Sequence, residues 1–149
     1  KSVMTRVLNV DPEFLYDSFN YFPIVSAMAG TKGNGLHISN ALTSIYLATG
    51  QDTACVAENS LGHFNIDKKD DGLVFRLTLP SLTVGTVGGG TRLNQQQQNL
   101  KLLGCDTGEN SSRKLAEIIA AATIGLEISL LSAIASHTWT SAHMKYGRK

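Results

Sequence analysis

Pro80-Ser81-Leu82-Thr83-Val84-Gly85-Thr86-Val87-Gly88-Gly89-Gly90-Thr91 is the stretch on which the reading of this chain turns. A β-branched segment runs into a cluster of glycines and threonines, and an amphipathic stretch from Leu93 to Leu103 follows. Glycines placed there allow positive φ and let a ligand approach bare backbone N–H groups. The plain alternative is a tight turn from strand to helix. The stretch is not a Gly-x-Gly-x-x-Gly dinucleotide fingerprint, and neither a P-loop nor a Gly-x-Ser-x-Gly elbow occurs in the chain.

Working outward, Leu36 to Thr49 reads as a helix closed by Gly50, with His37, Asn40 and Ser44 on one face. Leu61 to Ile66 and Leu73 to Leu79 read as a hairpin through Asp70-Asp71-Gly72, the second strand half-buried by its alternation. After the glycines a helix is expected through Leu103, ending at Gly104. A loop over Asp106 to Asn110 then leads into a long helix from about Ser112 to Ala135, capped by Asn110 or Ser111. Nearer the N-terminus, the valine-rich Ser2 to Val10 reads as a strand, and Glu13 to Phe22 as a short helix stopped by Pro23. Ser26-Ala27-Met28-Ala29-Gly30 is small and apolar, suited to close backbone approach. The expected class is α+β, with short strands and a long, largely buried C-terminal helix.

A chain of 149 residues suits one domain or part of one, and 42% hydrophobic against 17% charged residues suits a globular interior rather than a disordered tail. A net charge of +1, with basic residues scattered apart from Lys68-Lys69 and the tail from Lys145 to Lys149, gives no electrostatic case for nucleic acid. Cys55 and Cys105 lie far apart without metal spacing; free thiols in a reducing compartment are favoured, with a disulfide left open. The apolar run from Leu115 to Ala135 contains Glu117 and Glu127, which suits a buried helix better than a membrane span, so no membrane contact is expected from this segment. No signal peptide is visible. The chain begins at a lysine, so its natural N-terminus is expected to be missing.

Two positions could carry chemistry. Asp52 follows the C-terminal glycine of a helix, where the helix dipole disfavours a carboxylate, so the site calls for a neighbouring cation or a proton. Its plain reading is a solvated aspartate closing a turn. His143, in Ser141-Ala142-His143-Met144, could act as a general acid or be a water-exposed histidine near the chain end. His37 and Asn40 could meet on their helix or form its wet side. His63 and His137 carry no independent signal, and no metal-ligand spacing is present.

The segments resemble, in family order, the C-terminal half of the large domain of hydroxymethylglutaryl-CoA reductase. The resemblance is carried by Ser26 to Gly30, and by His37 and Asn40 leading into Ala48-Thr49-Gly50-Gln51-Asp52. It continues through Leu79-Pro80-Ser81 into Gly85 to Thr91, then Leu102-Leu103-Gly104 and Gly108-Glu109-Asn110. Leu115 to Ile119, Glu127 to Leu130 and His143-Met144 complete it. The glycine-rich string favours the sterol- and archaeal-type class I. The resemblance implies reduction of the hydroxymethylglutaryl-CoA thioester to mevalonate with two NADPH, for isoprenoid synthesis. It makes Asp52 the aspartate that tunes a neighbouring lysine, His143 the acid that protonates departing CoA thiolate, and Asn40 an orienting residue. Gly85, Thr86, Val87, Gly88, Gly89, Gly90 and Thr91 would line the cofactor region. His37 with Leu130, Ala133 and Ile134 would lie against substrate. A homodimer or higher oligomer is implied, located in the cytosol or on the cytoplasmic side of a membrane whose anchor would lie outside this chain.

The sequence also departs from that pattern. The family's catalytic glutamate, its active-site lysine and its small cofactor domain belong to segments N-terminal to everything here. Tyr21-Phe22-Pro23 stands where a lysine is expected before Ser26, and Gly33-Asn34-Gly35-Leu36 replaces the family's glycine-tyrosine-asparagine approach to His37. Alone, the chain is not expected to be active. The competing reading is a shortened, non-catalytic relative serving as a structural or regulatory subunit.

Overall fold

The computed structural model describes residues 2–147, so Arg148 and Lys149 of the basic tail lie outside the described residues. Its elements run α1 (Ser2–Val7), α2 (Pro12–Phe19), α3 (Phe22–Met28), α4 (Ile38–Thr49), α5 (Val56–Asn59), β1 (His63–Lys69), β2 (Gly72–Thr78), α6 (Asn94–Leu102), α7 (Ser111–Ala135) and α8 (Thr138–Tyr146). Helix makes up 60% of the structure, and the sheet is one antiparallel pair with His63 opposite Thr78 and Lys69 opposite Gly72. This is an α+β architecture, as expected.

The 25-residue α7 is the spine. Leu115, Ile119, Thr123, Glu127, Leu131 and Ala135 recur every fourth residue and are buried, so one stripe of α7 faces inward along its whole length. The first half of the stripe packs with Ile38, Leu42, Tyr46, Leu100 and Cys105; the second half packs with Met4, Val10, Leu15, Phe19, Phe64 and Ile66. The other faces of α7 are open, Leu126 and Ile134 among them. By length and composition alone α7 could also cross a membrane.

Three expectations for the N-terminal region are corrected. Ser2–Val7 is helix, not strand. Helical spacing puts Val3 and Val7 on one solvent-facing stripe and turns Met4 into the core, where burial outweighs the β preference of the valines. Pro23 does not stop a helix but occupies the first turn of α3, where its missing N–H is no loss. Asn20 already ends α2. The small residues 26–30 are not a close-contact surface: Met28 is 83% exposed and a Cβ on Gly30 would meet nothing within 4 Å. The segment before the glycines is no strand either. Residues 79–88 are irregular, with Leu82 and Val84 resting against the second core.

Candidate functional site

The residues of the cleft are positioned by α4, which is fastened at both ends. Glu127, 1% exposed, reaches from α7 to the entry of α4 and accepts hydrogen bonds from the N–H groups of Leu36 at 3.0 Å and of the capping residue His37 at 2.5 Å. The His37 N–H is a donor the helix cannot satisfy within itself, and a carboxylate there also complements the positive end of the helix dipole. At the other end, Gln96 and Asn99 of α6 donate to the carbonyls of Leu47 at 3.2 Å and Ala48 at 2.8 Å. The glutamine-rich start of α6 is thus a side-chain cap for α4.

Beyond that cap, Gly50 takes φ +73 and meets Gly90 backbone to backbone. A Cβ on Gly50 would lie 2.4 Å from the Gly90 carbonyl, and one on Gly90 would lie 2.8 Å from the Gly50 oxygen. Gln51 continues the junction with a paired contact, donating to the Gly85 carbonyl at 2.9 Å and accepting from the Gly85 N–H at 2.8 Å. The loop is held further back by Tyr46, whose hydroxyl donates to the Thr83 carbonyl at 2.9 Å while Asn59 donates to the same hydroxyl at 2.7 Å. Burial pushes the Tyr46 phenol above its ordinary value, an effect opposed by the Asn59 hydrogen bond and reinforced by Cys55 and Glu58.

These contacts open a cleft of about 510 Å³ lined by Gly50, Asp52, Thr53, Gly89, Gly90, Leu93 and Gln96, among others. Gly88 and Gly89 have φ +87 and +52 with open space where a Cβ would stand. The N–H groups of Val87, Gly88 and Gly89 have no hydrogen-bond partner among the described residues. Asp52 is exposed; one carboxylate oxygen accepts from the Ala54 N–H at 3.0 Å and closes a short turn. No lysine or arginine pairs with Asp52 among the described residues, so the cation its position calls for does not come from there. Cys55, nearby, is a free thiol raised by partial burial and then by the charges of Asp52 and Glu58, which suits an unreactive thiol.

A family model described as hydroxymethylglutaryl-coenzyme A reductase matches residues 1–148. The chain belongs to that family. It is 46% identical over 125 residues to the 3-hydroxy-3-methylglutaryl-coenzyme A reductase of Methanocaldococcus jannaschii, covering 84% of this chain and 31% of the relative. Against the reductase of Pyrococcus horikoshii the identity is 38% over 155 residues, covering 99% of this chain and 37% of the relative. The reductase 2 of Gossypium hirsutum is 44% identical over 131 residues, with 83% and 21% covered. The chain therefore spans about a third of the length of its microbial relatives.

Within this reductase-family chain the remaining candidate residues fall into two groups. His37 stands at the cap of α4, its Nδ1 buried without a partner, and Asn40 lies exposed one turn on. Leu130, Ala133 and Ile134 sit at the far end of α7, where Thr138 donates to the Ala133 carbonyl at 3.3 Å and the chain turns into α8. His143 lies on α8, in a separate surface cleft with Ala142, Tyr146 and Gly147. The glycine cleft gathers Asp52 with Gly89 and Gly90, whereas His143 is not among its lining residues. Sequence reading missed Glu127, Gln51 and Asn99 as the fasteners of α4. The signal for Glu127 was available, since it falls on the every-fourth-residue stripe of core positions on α7.

Proposed function

We propose that this chain is the C-terminal portion of the catalytic domain of a working hydroxymethylglutaryl-CoA reductase, which reduces the CoA thioester to the alcohol mevalonate with two NADPH. The observation that carries the reading is the Gly50–Gly90 backbone contact. It joins the Gly50-Gln51-Asp52 segment to Gly89 and Gly90 in one cleft, while Val87 and Gly88 of the same loop line a neighbouring one. The loop's unpartnered N–H groups and the open space over Gly88 and Gly89 suit an anionic or carbonyl-bearing ligand at close approach. When bound, the nicotinamide cofactor supplies hydride.

The residues of this chain bind, orient and move protons. Gly85 to Thr91 form the wall of the cofactor and substrate region. Asp52 offers its second carboxylate oxygen to a lysine contributed by a segment N-terminal to this one, with Asn40 and His37 along the same helix. His143 gives a proton from a ring nitrogen to the thiolate sulfur of CoA as the C–S bond breaks, converting a thiolate into a thiol. Because His143 and Asp52 lie in separate clefts, the reading includes a dimer or higher oligomer in which the two groups are assembled, in the cytosol or at a cytoplasmic membrane face.

The competing reading, a non-catalytic subunit that keeps the fold, draws on the lack of a cation beside Asp52 among the described residues. The test is the intact mass of the native protein followed by an assay of that material for NADPH oxidation with hydroxymethylglutaryl-CoA. A mass well above 16.0 kDa with substrate-dependent oxidation is expected. A mass near that value with no turnover would replace the reductase by the non-catalytic subunit.

A further inference from the structure

We propose that Trp139 is the positioning residue for His143, its indole holding the imidazole in the orientation in which Nδ1 is tied to the backbone and Nε2 exchanges the proton. The inference rests on the reading of His143 as the acid and adds a residue to that site. Trp139 is the single tryptophan of the chain and precedes His143 by one helical turn on α8. The two rings lie 4.2 Å apart between centroids with planes inclined by 38°. The imidazole is also tied at Nδ1, which lies 2.9 Å from the Trp139 carbonyl oxygen.

A carbonyl oxygen only accepts, so the hydrogen in that contact belongs to Nδ1. Nε2 is then the nitrogen left to carry or surrender the second proton, and it is the one turned away from the backbone tie. The indole beside the ring limits the rotations open to the imidazole. Nothing else among the described residues makes a hydrogen bond or ring contact with the His143 side chain, and α8 buries none of its residues. Trp139 therefore supplies by itself the orientation that the core supplies elsewhere.

The ionisable neighbours are few. On α8, Lys145 lies over the Tyr146 ring, and His137 caps the helix. The last two turns of α7, against which α8 packs, carry no charged residue, and Glu127 beyond them is committed to α4.

The experiment uses the full-length protein and the Trp139-dependent emission, obtained by subtracting the emission of the Trp139→Phe variant. This emission is expected to fall on acidification, because a charged imidazole in contact with an indole quenches it. The response should vanish in His143→Gln and persist in His137→Gln. In turnover, Trp139→Ala should lower kcat about fivefold with KM changed by less than about twofold, and Trp139→Phe, which keeps a ring face, should recover most of the loss. Emission indifferent to His143 overturns the proposal, as does an active enzyme whose kcat ignores Trp139→Ala. A His143-dependent emission in a wild-type protein without turnover supports the contact and removes the reductase reading instead.

Discussion

The junction of α4 with the glycine loop and the corner of α7 with α8 hold their candidate residues by opposite means. At the junction, Gly50 and Gly90 touch through backbone, Gln51 pairs with Gly85, and Glu127, Gln96 and Asn99 fasten both ends of the helix. At the corner, His137 takes φ +57 and the turn is stitched by surface hydroxyls, Ser136 to Thr138 at 2.9 Å and Ser141 to the Thr138 carbonyl at 2.9 Å. Asp52 thus follows a junction pinned through backbone and side chains, while His143 stands on a helix whose residues are all exposed. The lesson is that the two ends of the proposed chemistry differ in preorganisation, and they should differ in their response to substitution.

The largest effect is expected at the junction. Gly50→Ala must place a Cβ 2.4 Å from backbone at a positive φ, and should cost about 3 kcal/mol in urea unfolding. Gly88→Ala, at positive φ but in open space, should cost only about 1 kcal/mol. Equal losses at the two glycines would mean that the contact between Gly50 and Gly90 is not what holds the loop. Next, Glu127→Ala leaves the Leu36 and His37 N–H groups without their acceptor and should cost about 2 kcal/mol. Protection of those amides from hydrogen exchange should drop with it; unchanged protection would assign the cap elsewhere.

Smaller again is Tyr46→Phe, at about 1 kcal/mol near neutral pH, since Asn59 and the Thr83 carbonyl lose a partner. It also carries a pH signature. Burial raises the Tyr46 phenol above the ordinary 10.0, so the folded state keeps it neutral where the unfolded chain has begun to ionise. That contribution is whole below pH 10.0 and is lost as pH rises through the higher folded value. Unfolding curves in alkali should therefore fall less steeply for the variant, and parallel curves would show the phenol to be free to ionise in the fold. The smallest effect is at the corner, where Trp139→Ala, on a residue 43% exposed, should change stability by less than about 0.5 kcal/mol. A larger loss would make α8 part of the same cooperative unit as α4.

Much of this was legible in the residues. Gly50 marked the end of α4 through its positive φ, Gly104 likewise followed α6, and the alternation of Leu73, Phe75 and Leu77 gave β2 its inward face. Local chemistry decides those features. What could not be read depended on distant partners. Ser2–Val7 has strand-like residues but follows the core site that Met4 fills, and Pro23 is equally at home after a helix or in its first turn. At the site, the sequence pointed to Asp52 and the glycines, and it identified the family. That Gln51 would clasp Gly85, 34 positions away, depends on how residues 79–88 are laid down, which no local pattern encodes.

The Asn34 side chain donates to the Phe64 carbonyl at 2.6 Å and accepts from the Phe64 N–H at 2.7 Å, while its own N–H binds the Gly62 carbonyl at 3.1 Å. Its carboxamide mimics a peptide unit, so β1 meets a one-residue imitation of a third strand. A bare edge on a two-stranded ribbon invites edge-to-edge association of misassembled chains. Asn34 covers that edge at Phe64, so Asn34→Ala is expected to raise the aggregated fraction on refolding, read by light scattering.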